Sequence, residues 1–101
     1  MLRPLGSTRI FVCTEPTDMR KSFDGLCGLV ADSLQQDPLS GALFLFCNRR
    51  RDRLKLLYWD GDGYALWYKR LEEGTFQIPA KRDDAAHVVL SQAELAMLLD
   101  G

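Results

Sequence analysis

From Arg53 to Arg70 the chain reads RLKLLYWDGDGYALWYKR. Two runs of strand-forming residues flank Asp60-Gly61-Asp62-Gly63, whose residue types accept positive φ. Such a pattern predicts a β-hairpin turning near Gly61 and Asp62. With the turn there, Trp59 faces Tyr64. A four-residue connection at 49–52 sets Asn48 opposite Arg53 in the same way, so a third strand, Ala42–Asn48 (ALFLFCN), joins the hairpin. That strand is apolar at nearly every position, as a strand covered on both faces would be.

Alternation then sorts the side chains into two faces. One holds Leu43, Leu45, Cys47, Leu54, Leu56, Tyr58, Ala65 and Trp67, and is expected to be the core beneath a helix. The other holds Phe44, Phe46, Lys55, Leu57, Trp59, Tyr64, Leu66 and Tyr68, with Arg53 and Arg70 at the end away from the turn. This second face is too apolar to stand bare and too cationic for a plain core. Three readings of it compete: cover by the C-terminal helix and the 71–80 segment with Lys55 reaching water, a protein–protein patch, or a platform for nucleic acid.

Upstream, residues 9–14 form a short β-prone run and Thr17-Asp18 supplies N-cap chemistry. Met19, Phe23, Leu26, Cys27, Val30 and Leu34 recur at three- and four-residue steps, which predicts one long amphipathic helix ended by Asp37-Pro38-Leu39-Ser40-Gly41. Gly25 and Gly28 inside it suggest a close backbone neighbour or an irregularity. Downstream, 71–80 reads as an irregular crossing segment and Lys81-Arg82-Asp83-Asp84 as a solvated loop. His87–Leu90 reads as a brief strand, and Ser91 with Glu94 as a capping box opening a short C-terminal helix. The expected fold is α+β: a small antiparallel sheet built on a central hairpin, packed against one long α-helix, with a short helix at the C-terminus. It forms a single domain over residues 1–101, with 1–8 poorly ordered.

The 101 residues carry a net charge of −1, which excludes wholesale attraction to nucleic acid. The charge is uneven, however. Residues 49–70 hold seven basic and three acidic side chains, a net of +4, and the remainder holds six basic and eleven acidic, a net of −5. Arg49, Arg50, Arg51, Arg53, Lys55, Lys69 and Arg70 are the candidate nucleic-acid-binding set, because a run of three arginines exceeds what a turn requires. Trp59, Tyr64 and Tyr68 are the candidate partner-binding set.

Catalytic and metal chemistry find little support. Asp60-Gly61-Asp62-Gly63 lacks the closing glutamate of a calcium loop, and Glu72 and Glu73 stand at no specific spacing from it. His87 is isolated, and no serine has a nucleophile-elbow context. Three widely spaced cysteines, Cys13, Cys27 and Cys47, form neither a zinc pattern nor a disulfide framework and fit a reducing compartment. No apolar run approaches the length of a bilayer span. No cofactor, small-molecule substrate or membrane partner is expected, and the expected location is cytoplasmic.

Several motifs together carry a family resemblance. These are Thr17-Asp18-Met19-Arg20-Lys21 with Phe23-x-x-Leu26, Asp37-Pro38-x-Ser40-Gly41, Lys55-x-Leu57-Tyr58-Trp59-Asp60-Gly61-Asp62-Gly63, and Lys69-Arg70-Leu71-Glu72-x-Gly74-x-Phe76-x-x-Pro79. From about Ile10 to Pro79, and again in the tail Leu98-Leu99-Asp100-Gly101, the chain resembles the TnpB (second open reading frame) accessory proteins of bacterial insertion-sequence family sixty-six. The resemblance implies a non-enzymatic protein that assists transposition beside a separate, longer DDE-type transposase. Its implied partners are that transposase and DNA at the element's ends. The alternative is a protein-only module, or a self-associating one, acting through the Trp59/Tyr64/Tyr68 face without touching DNA.

Overall fold

The computed structural model describes residues 8–79 and 87–100. The solvated loop expected at 81–84, and the poorly ordered start apart from Thr8, lie outside the described residues. Five strands and two helices follow in the order β1 (Ile10–Cys13), α1 (Phe23–Asp32), β2 (Leu43–Cys47), β3 (Arg53–Trp59), β4 (Tyr64–Arg70), β5 (His87–Leu90) and α2 (Gln92–Leu99). They build one sheet in the spatial order β4-β3-β2-β1-β5.

The hairpin stands as expected, with Trp59 opposite Tyr64 and Arg53 opposite Arg70. Asp60 N–H donates to Gly63 O at 2.8 Å, leaving Gly61 and Asp62 as the two-residue loop. Gly61 has φ +84° at the first loop position, a conformation that glycine adopts without steric cost. On the other side of β3, Cys47 pairs with Leu54 and Asn48 N–H donates to Arg53 O, so the register expected from the 49–52 connection also holds.

The sheet is mixed, which corrects the purely antiparallel expectation. β1 runs parallel to β2, with Ile10 beside Leu43, and antiparallel to β5. A parallel pair needs a crossover, and α1 supplies it. The helix is also shorter than expected. It spans ten residues from Phe23, because Thr17–Lys21 forms a separate turn rather than a first helical turn. At the other end Gln35 adopts φ +56°, which ends the helix before Asp37. Among the described residues no close backbone neighbour is found for the helical glycines: a Cβ on Gly28 would meet nothing within 4 Å, and the atoms nearest to one on Gly25 belong to the Lys21 side chain, from 3.2 Å.

Both faces of the sheet are buried, but the helices cover them in the reverse of the expected sense. α1 lays Leu26, Val30 and Leu34 on the Phe44, Phe46 and Leu57 face. α2 brings Leu95 and Leu98 to the opposite face, where Leu43, Leu45, Leu54 and Leu56 pack with Phe76. Alternation alone could not choose between two apolar faces. In a parallel β-helix-β unit the handedness of the crossover assigns the side. The Ser91–Glu94 capping box opens α2 as expected, and Lys69 Nζ donates to Leu99 O at 2.9 Å at its far end.

Candidate nucleic-acid interface

The β2–β3 connection is organised by Asn48. Its side-chain oxygen accepts from the backbone N–H groups of Asp52 and Arg53, and its amide donates to Asp52 Oδ1 at 2.7 Å. That hydrogen bond is the main cause of a depressed Asp52 pKa. The loop is therefore a fixed platform from which Arg49 and Arg50 project, both exposed.

Against this platform rests the Thr17–Lys21 turn. Thr17 is buried and its N–H donates to Cys47 O at 2.8 Å, pinning the turn to the end of β2. Lys55 holds the same turn from below. Its ammonium donates to Met19 O at 2.8 Å and Lys21 O at 2.7 Å, and lies 4.8 Å from the centre of the Tyr68 ring. Only 7% of Lys55 is exposed. Two carbonyl oxygens and an aromatic face thus replace its water.

Between turn and platform opens a groove of about 480 Å³, lined by Thr17, Asp18, Met19, Arg20, Asn48, Arg49, Arg50, Asp52 and Arg53. Four arginines face two aspartates there, a formal surplus of two positive charges. Arg20 forms a bidentate pair with Asp18, its Nε donating to Asp18 Oδ1 at 3.1 Å and its Nη2 to Oδ2 at 2.7 Å. Hydrogen bonds from the Arg20 side chain and backbone hold the Asp18 pKa at about 2, and the same pair raises that of Arg20. Arg53 Nη1 reaches Tyr68 Oη at 3.3 Å, linking the groove to an exposed ring.

The seven cationic residues singled out from the sequence are thus divided. Arg49, Arg50 and Arg53 gather at the groove. Arg51 turns away to donate weakly to Ile78 O, Lys69 lies on the α2 side, and Lys55 is enclosed. Arg70, across from Arg53, pairs with Glu72 at 3.0 Å. Sequence reasoning missed Arg20 and Asp18 as groove residues. Thr17-Asp18 reads as a helix cap, and nothing local ties it to an arginine run some thirty positions later.

The aromatic set is divided as well. Trp59 and Tyr64 meet edge to face at 5.1 Å and are half-buried, with Tyr64 packed beside the α1 core. Tyr68 is 48% exposed. Among the described residues, no group of three or more His, Cys, Asp or Glu side chains could hold a metal ion. No helix among them is long and apolar enough to cross a membrane.

The comparisons with known proteins agree with this arrangement of motifs. A family model described as IS66 Orf2 like protein matches residues 8–101. The uncharacterized protein y4jC of Sinorhizobium fredii (strain NBRC 101917 / NGR234) is 42% identical over 101 residues, covering 100% of this chain and 85% of the relative. A second protein of that strain, uncharacterized protein y4hO, is 38% identical over 95 residues, covering 94% of this chain and 81% of the relative. No solved structure matches. The chain belongs to the IS66 Orf2-like family of transposition-associated accessory proteins.

Proposed function

We propose that this protein is a single-domain, non-catalytic, cytoplasmic factor that docks on the phosphate backbone of element DNA while the separate transposase performs the chemistry. The observation that carries the reading is the convergence of Arg20, Arg49, Arg50 and Arg53 on one groove from two distant parts of the chain. Guanidinium groups suit phosphate oxygens because their planar donors can bind two at once. The exposed Tyr68 ring beside Arg53 offers an adjoining surface on which an unpaired base can stack. With a surplus of only two charges, binding is modest and strongly dependent on salt.

The test is binding of element-end DNA across a salt series. About three neutralised phosphates give a slope of log affinity against log salt near −2.7. The double variant Arg49→Ala/Arg50→Ala shallows that slope by roughly two phosphates' worth while the fold persists. Absence of binding at low salt, or an unchanged slope in the double variant, overturns the reading. A second reading, a protein-only contact with the transposase through Tyr68 and the Trp59–Tyr64 pair, rests on the exposure of Tyr68. It requires that Tyr68→Ala abolish co-purification with the transposase in the absence of DNA.

A further inference from the structure

β4 is an edge strand, and among the described residues the devices that usually keep edges from pairing are reduced to two cations. Its seven residues match β3 one for one with no bulge, and it contains no proline. Its two cations lie at one end and are engaged, Lys69 with Leu99 O and Arg70 with Glu72. Trp67 at its centre is 37% exposed and Tyr68 beside it more so. Long, unbroken, aromatic-rich edges of this kind recruit another strand.

The backbone says which strand fits. Asp60 donates to Gly63 O and Leu71 donates to Asp52 O, and these two bonds fix the alternation along the ladder between them. Ala65, Trp67 and Lys69 direct their N–H and C=O groups at β3, whereas Tyr64, Leu66, Tyr68 and Arg70 direct theirs outward. An antiparallel copy of β4 centred on Trp67 sets Leu66 against Tyr68 and Tyr64 against Arg70. Every outward residue then meets an outward residue, giving about eight inter-chain hydrogen bonds, two for each of four pairs. Trp67 meets its own counterpart at a non-hydrogen-bonded position, where Cα atoms approach to about 4.5 Å and aromatic pairs pack best. Lys69 falls opposite Ala65 and Arg70 opposite Tyr64, so no cation faces a cation.

We propose that two copies of this chain pair through β4, antiparallel and in register about Trp67, to form a continuous ten-stranded sheet. The inference goes beyond the groove and does not depend on DNA. The two-fold axis stands perpendicular to the sheet, as an isologous strand pair requires, so both grooves open on the same side. From strand spacing and rise, the two Arg53 positions lie on the order of 25 Å apart.

The full chain, measured by light scattering across a concentration series, should approach twice the monomer mass of 11.5 kDa. Amide exchange read residue by residue should show Leu66 and Tyr68 protected in the dimer and exchanging on dilution, with Trp67 protected throughout. Trp67→Lys, which sets two ammonium groups face to face, should weaken the dimer at least about tenfold with an unchanged circular dichroism spectrum. A single-chain mass at every concentration overturns the proposal. So does a dimer in which the Leu66 and Tyr68 amides exchange freely, or a β4 edge that becomes protected only when a different protein is added.

Discussion

The Lys55 ammonium lies 2.8 Å from the carbonyl oxygen of Met19, joining the middle of β3 to a turn thirty-six residues earlier in the chain. That contact, with its companion to Lys21 O, holds Arg20 at the groove. Replacing Lys55 with Met would leave two carbonyl oxygens poorly satisfied in a closed site. The expected loss of stability is about 2–3 kcal/mol, read from the urea midpoint. Arg53→Met, which removes only an exposed and long hydrogen bond to Tyr68, should stay within about 0.5 kcal/mol.

Asp18 restrains the groove electrostatically. Asp18→Asn removes one of its two negative charges and releases Arg20 from a bidentate pair, so DNA affinity at low salt should rise several-fold with a steeper salt slope. Titration works through the same pair. The Asp18 pKa is depressed to about 2 in the fold, so its stabilising contribution is complete above the unfolded carboxylate value near 4 and disappears as pH falls toward 2. Wild type should therefore lose more stability than Asp18→Asn between pH 4 and 2, measured by thermal unfolding.

Arg51 should behave unlike its neighbours. Its φ of +60° is a conformation that favours glycine, and its carbonyl accepts from Phe76 N–H at 2.7 Å, anchoring the 71–78 segment. The backbone at this position is structural, and the side chain points away from the groove. Arg51→Gly should stabilise the fold by up to about 1 kcal/mol. It should leave the salt slope of DNA binding where Arg49→Ala lowers it. Urea unfolding and the salt series together check both halves.

Cys47 offers a check on the closed end of β2. Burial pushes its thiol up to about 11 from 9.0. The unfolded chain therefore releases this proton first, and stability falls as pH rises from about 9 toward 11. Unfolding of wild type and Cys47→Ala at pH 8 and pH 10 should show a smaller decline in the variant. Alkylation of the folded protein at pH 8 should reach the half-buried Cys27 well before Cys47.

The hairpin, its register and the capping box of α2 were legible because each rests on local chemistry: Gly61 in a tight turn, strict alternation, and Ser91 three positions before Glu94. The sides taken by the helices were not legible, since Phe44 and Leu45 are equally apolar and the deciding fact, the parallel pairing of a four-residue β1 with β2, leaves no local signal. Arg49, Arg50 and Arg53 could be found as a cluster in the chain. Arg20 could not, because long-range bonds bring it there, from Thr17 N–H to Cys47 O and from Lys55 to Met19 O and Lys21 O. Lys55 itself looked like a surface cation, for no pattern along a strand reveals two carbonyl oxygens waiting above it.

β1 sits between β2 and β5, although it is made early in synthesis and β5 late. Until His87–Leu90 is made, the Ile10–Cys13 strand has an open flank of wholly buried-type residues. Closing that flank demands a contact between segments more than seventy positions apart, a slow step for any chain. A ribosome-bound precursor lacking its last strand is therefore the form most exposed to clumping, and the one for which a chaperone would matter most.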